Sequence, residues 1–260
     1  PEEKWEKVAE YCDNDVFSTE AVFVHNNADW TARKLLAKLS GLSTNATTQQ
    51  HAAKIIFKGY NNPQSKFIYT HLDEMFPGYK FEAGVSTYMG EEVGEGGRVY
   101  AEPGMYYNVA LLDVESMHPT SLEELNAFGE YTKNFSEIKA ARLAIKHEEL
   151  DKLTDLLDGE LDKLMKEDPT VTPENLSYAL KIIINIVYGL TSAKFSNPFK
   201  DPRNIDNIVA KRGALFMMDL EKAVKEKGYT VAHIKTDSIK IPNADKEIIE
   251  FVMEFGKKYG

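Results

Sequence analysis

Two acids stand where chemistry is easily arranged. Asp113 closes the apolar run 108–113 (Asn-Val-Ala-Leu-Leu-Asp), and Asp237 lies in the short segment Lys235-Thr236-Asp237-Ser238 between two apolar stretches. The first run suits a buried strand, and the second segment suits a tight turn between two short strands spanning 229–241. Carboxylates brought together from separate strands can hold two divalent cations about 4 Å apart, an arrangement that stabilises the attacking and leaving oxygens of phosphoryl transfer. Either acid taken alone reads more simply as an exposed residue at a strand end. Arg142 and Lys146, four apart in a helical pattern, suit a solvated helix face pairing with Glu137 or Glu149.

The elements that must position these groups follow from periodicity and punctuation. Residues 2–39 read as helical, with Val8, Tyr11, Cys12, Val16 and later Leu35, Leu36 and Leu39 at helical spacing, and the Ser, Thr and Asn of 40–50 read as a loop. The glycine-rich stretch 76–104 predicts a turn-rich extended region. One long helix is expected over 134–166 and a second over 172–188, separated by Asp168-Pro169 and started by Thr172 as cap with Pro173 at the first helical position. Together they predict a protruding antiparallel hairpin. A further helix over 205–227 closes at Gly228, and an amphipathic pattern runs over 245–259.

Composition narrows the class. With 260 residues and 43% hydrophobic content, the chain can build a sizeable core. The single cysteine excludes an internal disulfide framework, and the six histidines do not gather with it at zinc-ligand spacing. No apolar run reaches membrane-spanning length, and the start carries no basic-then-apolar leader pattern, so a soluble, cytoplasmic protein is expected. The net charge of −10 argues against a uniformly basic nucleic-acid surface, but the charge is segregated. Residues 148–174 hold ten acids against three lysines, and 181–213 hold six basic residues against two aspartates. On charge alone, ordinary solvated helix faces are the simpler account. The chain starts without methionine and stops within an amphipathic pattern, so it reads as an internal piece of a longer protein.

The neighbours of the two acids supply more. The stretch 113–121, Asp-Val-Glu-Ser-Met-His-Pro-Thr-Ser, resembles motif A of the family B DNA polymerases; Lys181-x-x-x-Asn185-x-x-Tyr188-Gly189 resembles their motif B; and Lys235-Thr236-Asp237-Ser238 resembles motif C, in which the first position is usually aspartate. The three occur in the family's order, and the likeness runs from about Tyr11 to the C-terminus. Tyr11-x-x-x-Asp15 is similar to the third motif of the proofreading exonuclease. Gly96-Gly97 stands where the family often has Tyr-x-Gly-Gly, with Gly94 at the tyrosine position.

The resemblance implies an α+β fold: a right-hand polymerase palm, an antiparallel sheet backed by helices, with a two-helix fingers projection. It implies an exonuclease remnant over 1–40, a linker and palm start with motif A over 41–121, fingers with motif B over 122–190, and palm with motif C over 191–260. Asp113 and Asp237 would be the catalytic metal ligands for two Mg²⁺ ions, with the carbonyl of Val114 completing one site. The backbone around Met117 and His118 would meet the triphosphate, His118 standing where the family has a tyrosine beneath the sugar. Arg142, Lys146, Lys181, Asn185 and Tyr188 would complete the nucleotide site, and Tyr11 and Asp15 would belong to the exonuclease, Asp15 as a metal ligand. The implied activity is template-directed DNA synthesis from deoxynucleoside triphosphates on primer-template DNA, with the thumb and the rest of the exonuclease absent from this sequence. A phage-like source is expected, and hence host-cell cytoplasm. The alternative is a non-catalytic nucleic-acid-binding module of the same fold. A reverse transcriptase would share the two-metal chemistry but lacks the Lys-x-x-x-Asn-x-x-Tyr-Gly helix.

Overall fold

The computed structural model describes residues 4–260. Its elements are α1 (Trp5–His25), α2 (Asn27–Ser40), α3 (Thr48–Phe57), α4 (Leu72–Met75), β1 (Lys80–Glu82), β2 (Val85–Tyr88), β3 (Glu91–Glu92), β4 (Arg98–Ala101), β5 (Val109–Asp113), α5 (Met117–Glu124), α6 (Thr132–Lys146), α7 (Glu160–Glu167), α8 (Pro173–Thr191), α9 (Ile208–Glu226), β6 (His233–Thr236), β7 (Ser238–Pro242) and α10 (Lys246–Lys257). Two compact units divide them: Pro1–His51 with Ala140–Ile183, and Ala52–Lys139 with Ile184–Gly260. Among the described residues, no helix is long and apolar enough to cross a membrane.

The second unit holds two antiparallel sheets backed by helices. The larger has strand order β4-β6-β7-β5, and the smaller is β1-β2-β3. In the larger sheet, Ile234 opposes Ile239 and Ala110 opposes Ile241, and the three isoleucines are fully buried. Strand side chains alternate between faces, so the residues between them point the other way. Val99, Leu111, Lys235, Lys240 and Asp113 therefore share the opposite face, where Val99 is 67% and Leu111 61% exposed. The expected buried strand at 108–113 is thus half-exposed, packed on one face only.

α9 is the helix that backs this sheet. Fourteen of its nineteen residues are buried, including Lys211, Arg212 and Glu221, so it is a core helix rather than an amphipathic surface one. Its buried charges find partners. The Lys211 ammonium donates to the Ser86 hydroxyl and stands 5.1 Å from the Phe81 ring centroid. Glu221 accepts from Arg98 at 3.0 Å. Tyr88 donates to Asp219 at 2.8 Å, while Tyr69 and Tyr79 both donate to Asp206, which burial in turn reinforces by pushing the Tyr79 phenol up to about 12. The Lys211–Ser86 and Tyr88–Asp219 bonds tie β2 of the smaller sheet to α9, and the Arg98–Glu221 pair ties β4 of the larger sheet to it. Phe57, Phe67, Phe128 and Phe199 pack edge-on and tilted beside them, with centroids 4.9–5.9 Å apart.

In the first unit, α2 buries Ala32, Leu35 and Leu36, and its Lys38 pairs with Asp168. Tyr178 donates to Asp29 at 2.5 Å. Pro173 opens α8 as expected, with the Thr172 hydroxyl accepting from Asn175 N–H at 3.2 Å. The expected helical stretch over 2–39 is helical from Trp5 on, as two helices that meet at Asn26, while residues 2 and 3 lie outside the described residues. Two expectations need correction. The predicted loop over 40–50 is shorter, because α3 already starts at Thr48. The single helix expected over 134–166 stops at Lys146 and resumes at Glu160, with two 3₁₀ segments between them. Glu148, Leu157, Asp158 and Gly159 all take positive φ there, which no α-helix continues through. Leu150, Leu153, Leu157 and Leu161 imitate helical spacing; three of them are buried from these successive turns instead.

His51 offers a pH test of the first unit. Its ring is fully buried, Nδ1 lies 2.7 Å from the Ser40 hydroxyl, and Nε2 is buried without a partner. Burial, and then the charge of Arg33, lower its pKa from 6.5. The unfolded chain therefore takes up a proton that the folded chain refuses, and stability is lost as pH falls below about 6.5. Thermal midpoints measured from about pH 7.5 down to about 5.5 should fall less steeply for His51→Gln than for the wild type.

Candidate functional site

The β6–β7 hairpin turns through only two residues, because Lys235 pairs with Ser238. Thr236 takes φ 56°, unusual for a β-branched residue, and Asp237 N–H donates to the Lys235 carbonyl at 2.8 Å. β5 runs alongside in the register that puts Asp113 opposite Ser238. One residue further on, Val114 N–H donates to the Asp237 carbonyl at 2.8 Å. The two acids named from the sequence are therefore brought to one end of one sheet, from adjacent strands. Lys235 lies in the same cross-strand row as Asp113, with Ser238 between them.

The chain then turns sharply from β5 into α5. Ser116 takes a left-handed conformation before Met117, and the first helical bond runs from Thr120 N–H to the Ser116 carbonyl at 2.9 Å. The amides of Met117 and His118 thus have no helical acceptor behind them, and Pro119 has no N–H, so the positive end of α5 follows Asp113 by four residues. Met117 is buried against Gly213 of α9, where a Cβ would lie 2.7 Å from the Met117 sulfur. Gly213 was not identified from the sequence; a lone glycine inside a helical pattern is the signal that marks it.

His118 stacks flat on Tyr188, with centroids 4.0 Å and planes 5° apart. Burial lowers the His118 pKa against an opposing effect of Asp237, and burial raises that of Tyr188. Two neutral rings thus form a wall beside the acids, and His118 Nδ1 is buried without a partner. On α8, Leu180, Ile183, Ile184, Val187 and Leu190 are buried, while Lys181, Asn185 and Gly189 lie along the exposed stripe at four-residue spacing. Arg142 and Lys146 lie one turn apart on α6, and Arg142 Nε is buried without a partner. By compact unit, Asp113, Val114, Met117, His118, Asn185, Tyr188 and Asp237 fall in the second, and Arg142, Lys146 and Lys181 in the first.

Tyr11 and Asp15 stand one turn apart on α1, where every described side chain is exposed. Among the described residues, no three His, Cys, Asp or Glu side chains gather as a metal site. The donors at the end of the sheet are two carboxylates and the neighbouring peptide carbonyls, an all-oxygen set that suits a hard divalent ion such as magnesium.

No family model matches the chain, and no curated protein does. Among solved structures, it is similar to the family B DNA polymerase from the hyperthermophilic archaeon Pyrobaculum calidifontis, at 14% identity and a TM-score of 0.44, over 88% of this chain. The chain spans 31% of the length of that structure.

The ring stack can be tested directly. Removing the imidazole in His118→Ala uncovers Tyr188 and should cost about 1–2 kcal/mol in urea unfolding, whereas His118→Phe, which keeps a ring, should cost less than half as much.

Proposed function

We propose that this chain is the palm and fingers part of a family B DNA polymerase, which adds deoxynucleotides to a primer 3′-hydroxyl under the direction of a template. The observation that carries this reading is the convergence of Asp113 and Asp237, with Asp113 opposite Ser238 and Val114 bonded to the Asp237 carbonyl at 2.8 Å. The four-stranded sheet with α5, α9 and α10 serves as the palm, and α6 to α8 as the fingers. Two Mg²⁺ ions held by Asp113, Asp237 and the Val114 carbonyl would supply charge stabilisation to the attacking and leaving oxygens.

The chain's own groups account for the rest. The amides of Met117 and His118 at the start of α5 suit a phosphate, as helix starts do. The His118–Tyr188 wall sets a flat boundary for the sugar and the nascent base pair. Asn185, on the exposed stripe of α8, would contact the nucleotide, as the likeness of its motif implies. Catalysis on this reading is positioning and fixed charge, with little covalent chemistry from the protein. Primer-template DNA lies along the free face of the sheet, where Lys235 and Lys240 stand among Val99 and Leu111. Tyr11 and Asp15 would belong to a proofreading exonuclease, and the protein would act in the cytoplasm of a phage-infected cell.

Magnesium-dependent primer extension by the chain and by its Asp237→Asn and Asp113→Asn variants tests this. Each variant should lose at least about 10³-fold in rate while DNA binding persists, because a metal ligand is lost but the surface is kept. Binding without extension in the wild type would favour a nucleic-acid-binding module of the polymerase fold instead.

A further inference from the structure

The turn that presents Asp237 is held from several sides at once. The Asp237 peptide is clamped at both ends, its N–H on the Lys235 carbonyl and its carbonyl on Val114 N–H, each at 2.8 Å. Between these bonds Thr236 sits at φ 56°, a conformation that a branched residue keeps only where its surroundings over-determine it. The remaining side is closed by the residue just before β4. Arg98 pairs with Thr236, and Gly97, at φ +95°, lies against the same threonine. A Cβ on Gly97 would stand 3.1 Å from Thr236 Cγ2, 3.3 Å from its Cα and 3.5 Å from its Cβ. Carbon atoms pack best at about 3.5–4.0 Å, so any side chain here must push the turn away. The neighbouring glycines differ: nothing lies within 4 Å of a Cβ on Gly96, and Gly94 would meet only the Gly97 carbonyl, at 3.9 Å.

We propose that Gly97 is a positioning residue for Asp237. Its bare Cα is the backstop that sets how far the Thr236-Asp237 turn projects, and hence where the Asp237 carboxylate stands relative to Asp113. The claim rests on Asp237 being a metal ligand. It concerns contact at Thr236 rather than the flexibility of a glycine, and this distinguishes it from an ordinary turn requirement. A displacement of a few tenths of an ångström matters there because metal and catalytic geometries tolerate only about 0.5 Å.

The test uses the whole 260-residue chain and Mn²⁺ as a paramagnetic probe. Broadening of the Asp113 and Asp237 amide resonances reports local metal affinity without requiring turnover, and Mg²⁺-dependent primer extension is followed in parallel. Gly97→Ala should weaken the apparent Mn²⁺ affinity several-fold and slow extension about 10–100-fold, with DNA affinity unchanged, as expected for a misplaced group. Gly96→Ala should match the wild type in both. Adding Thr236→Ser to Gly97→Ala removes the methyl that is struck and should recover at least half of each loss on a logarithmic scale. Gly97→Asn keeps the Cβ but tolerates positive φ better, so it should behave as Gly97→Ala does even if the alanine variant folds poorly. Unchanged Mn²⁺ affinity in both Gly97 variants, or losses that Thr236→Ser does not recover, would overturn the proposal. A wild type that binds Mn²⁺ at both aspartates, shows the Gly97 effect and its recovery, yet extends no primer would sink the polymerase reading and leave the positioning role standing.

Discussion

The pairing of β5 with β7, in the register that sets Asp113 opposite Ser238, is the constraint on which the rest of the second unit depends. Strand side chains alternate, so a slip of one residue would turn Asp113 inward and send Leu112 into solvent. The register is fixed from the apolar side: Ile239 and Ile241 are buried opposite Leu112 and Ala110, and the two-residue β6–β7 turn leaves no slack for sliding. The position of the two acids is therefore a by-product of isoleucine burial on the other face. A buried Ile or Leu contributes roughly 1.5–3 kcal/mol, more than an ion pair near the surface typically does.

α9 transmits that order to everything around it. Its apolar residues cover the buried face of the larger sheet, and its charged residues carry polar links to β2 of the smaller sheet and to β4 of the larger one. Lys211 reaches Ser86, Asp219 receives Tyr88, and Glu221 receives Arg98. Lys211 and Glu221 are buried, and charges so deep persist only when they are partnered, since an unpaired buried charge is strongly destabilising. The Arg98–Glu221 pair holds the first residue of β4 and the apolar core holds β6, and Gly97 meets Thr236 between these two segments. Gly213, on the same helix, gives Met117 the space to seat the start of α5. Two glycines in unlike settings shape the same site by leaving room.

A good part of this is legible in the sequence. The acid at the end of an apolar strand, the hairpin around Thr236-Asp237, and the Thr172-Pro173 start of α8 follow from alternation and capping, which are local and strong. The motif residues of α8 fall on one stripe because their four-residue spacing matches the helical repeat. Where reading fails, it fails for a local reason. The leucines at 150, 153, 157 and 161 keep helical spacing through a segment whose backbone is not α-helical, and only the Asp158-Gly159 pair hints at the break. The strand at 109–113 looks fully buried because a short apolar run does not reveal how many of its faces will be covered.

The sequence by itself determined which residue types are available for chemistry and which elements carry them, because propensity, capping and periodicity act over a few neighbouring residues. Only the tertiary structure decided that Asp113 meets the turn of Asp237, more than a hundred residues away, that His118 lies flat on Tyr188, and that Gly97 backs Thr236. Such contacts join segments far apart in the chain. They depend on sheet register and on side-chain packing around α9, and no local pattern of residues encodes either.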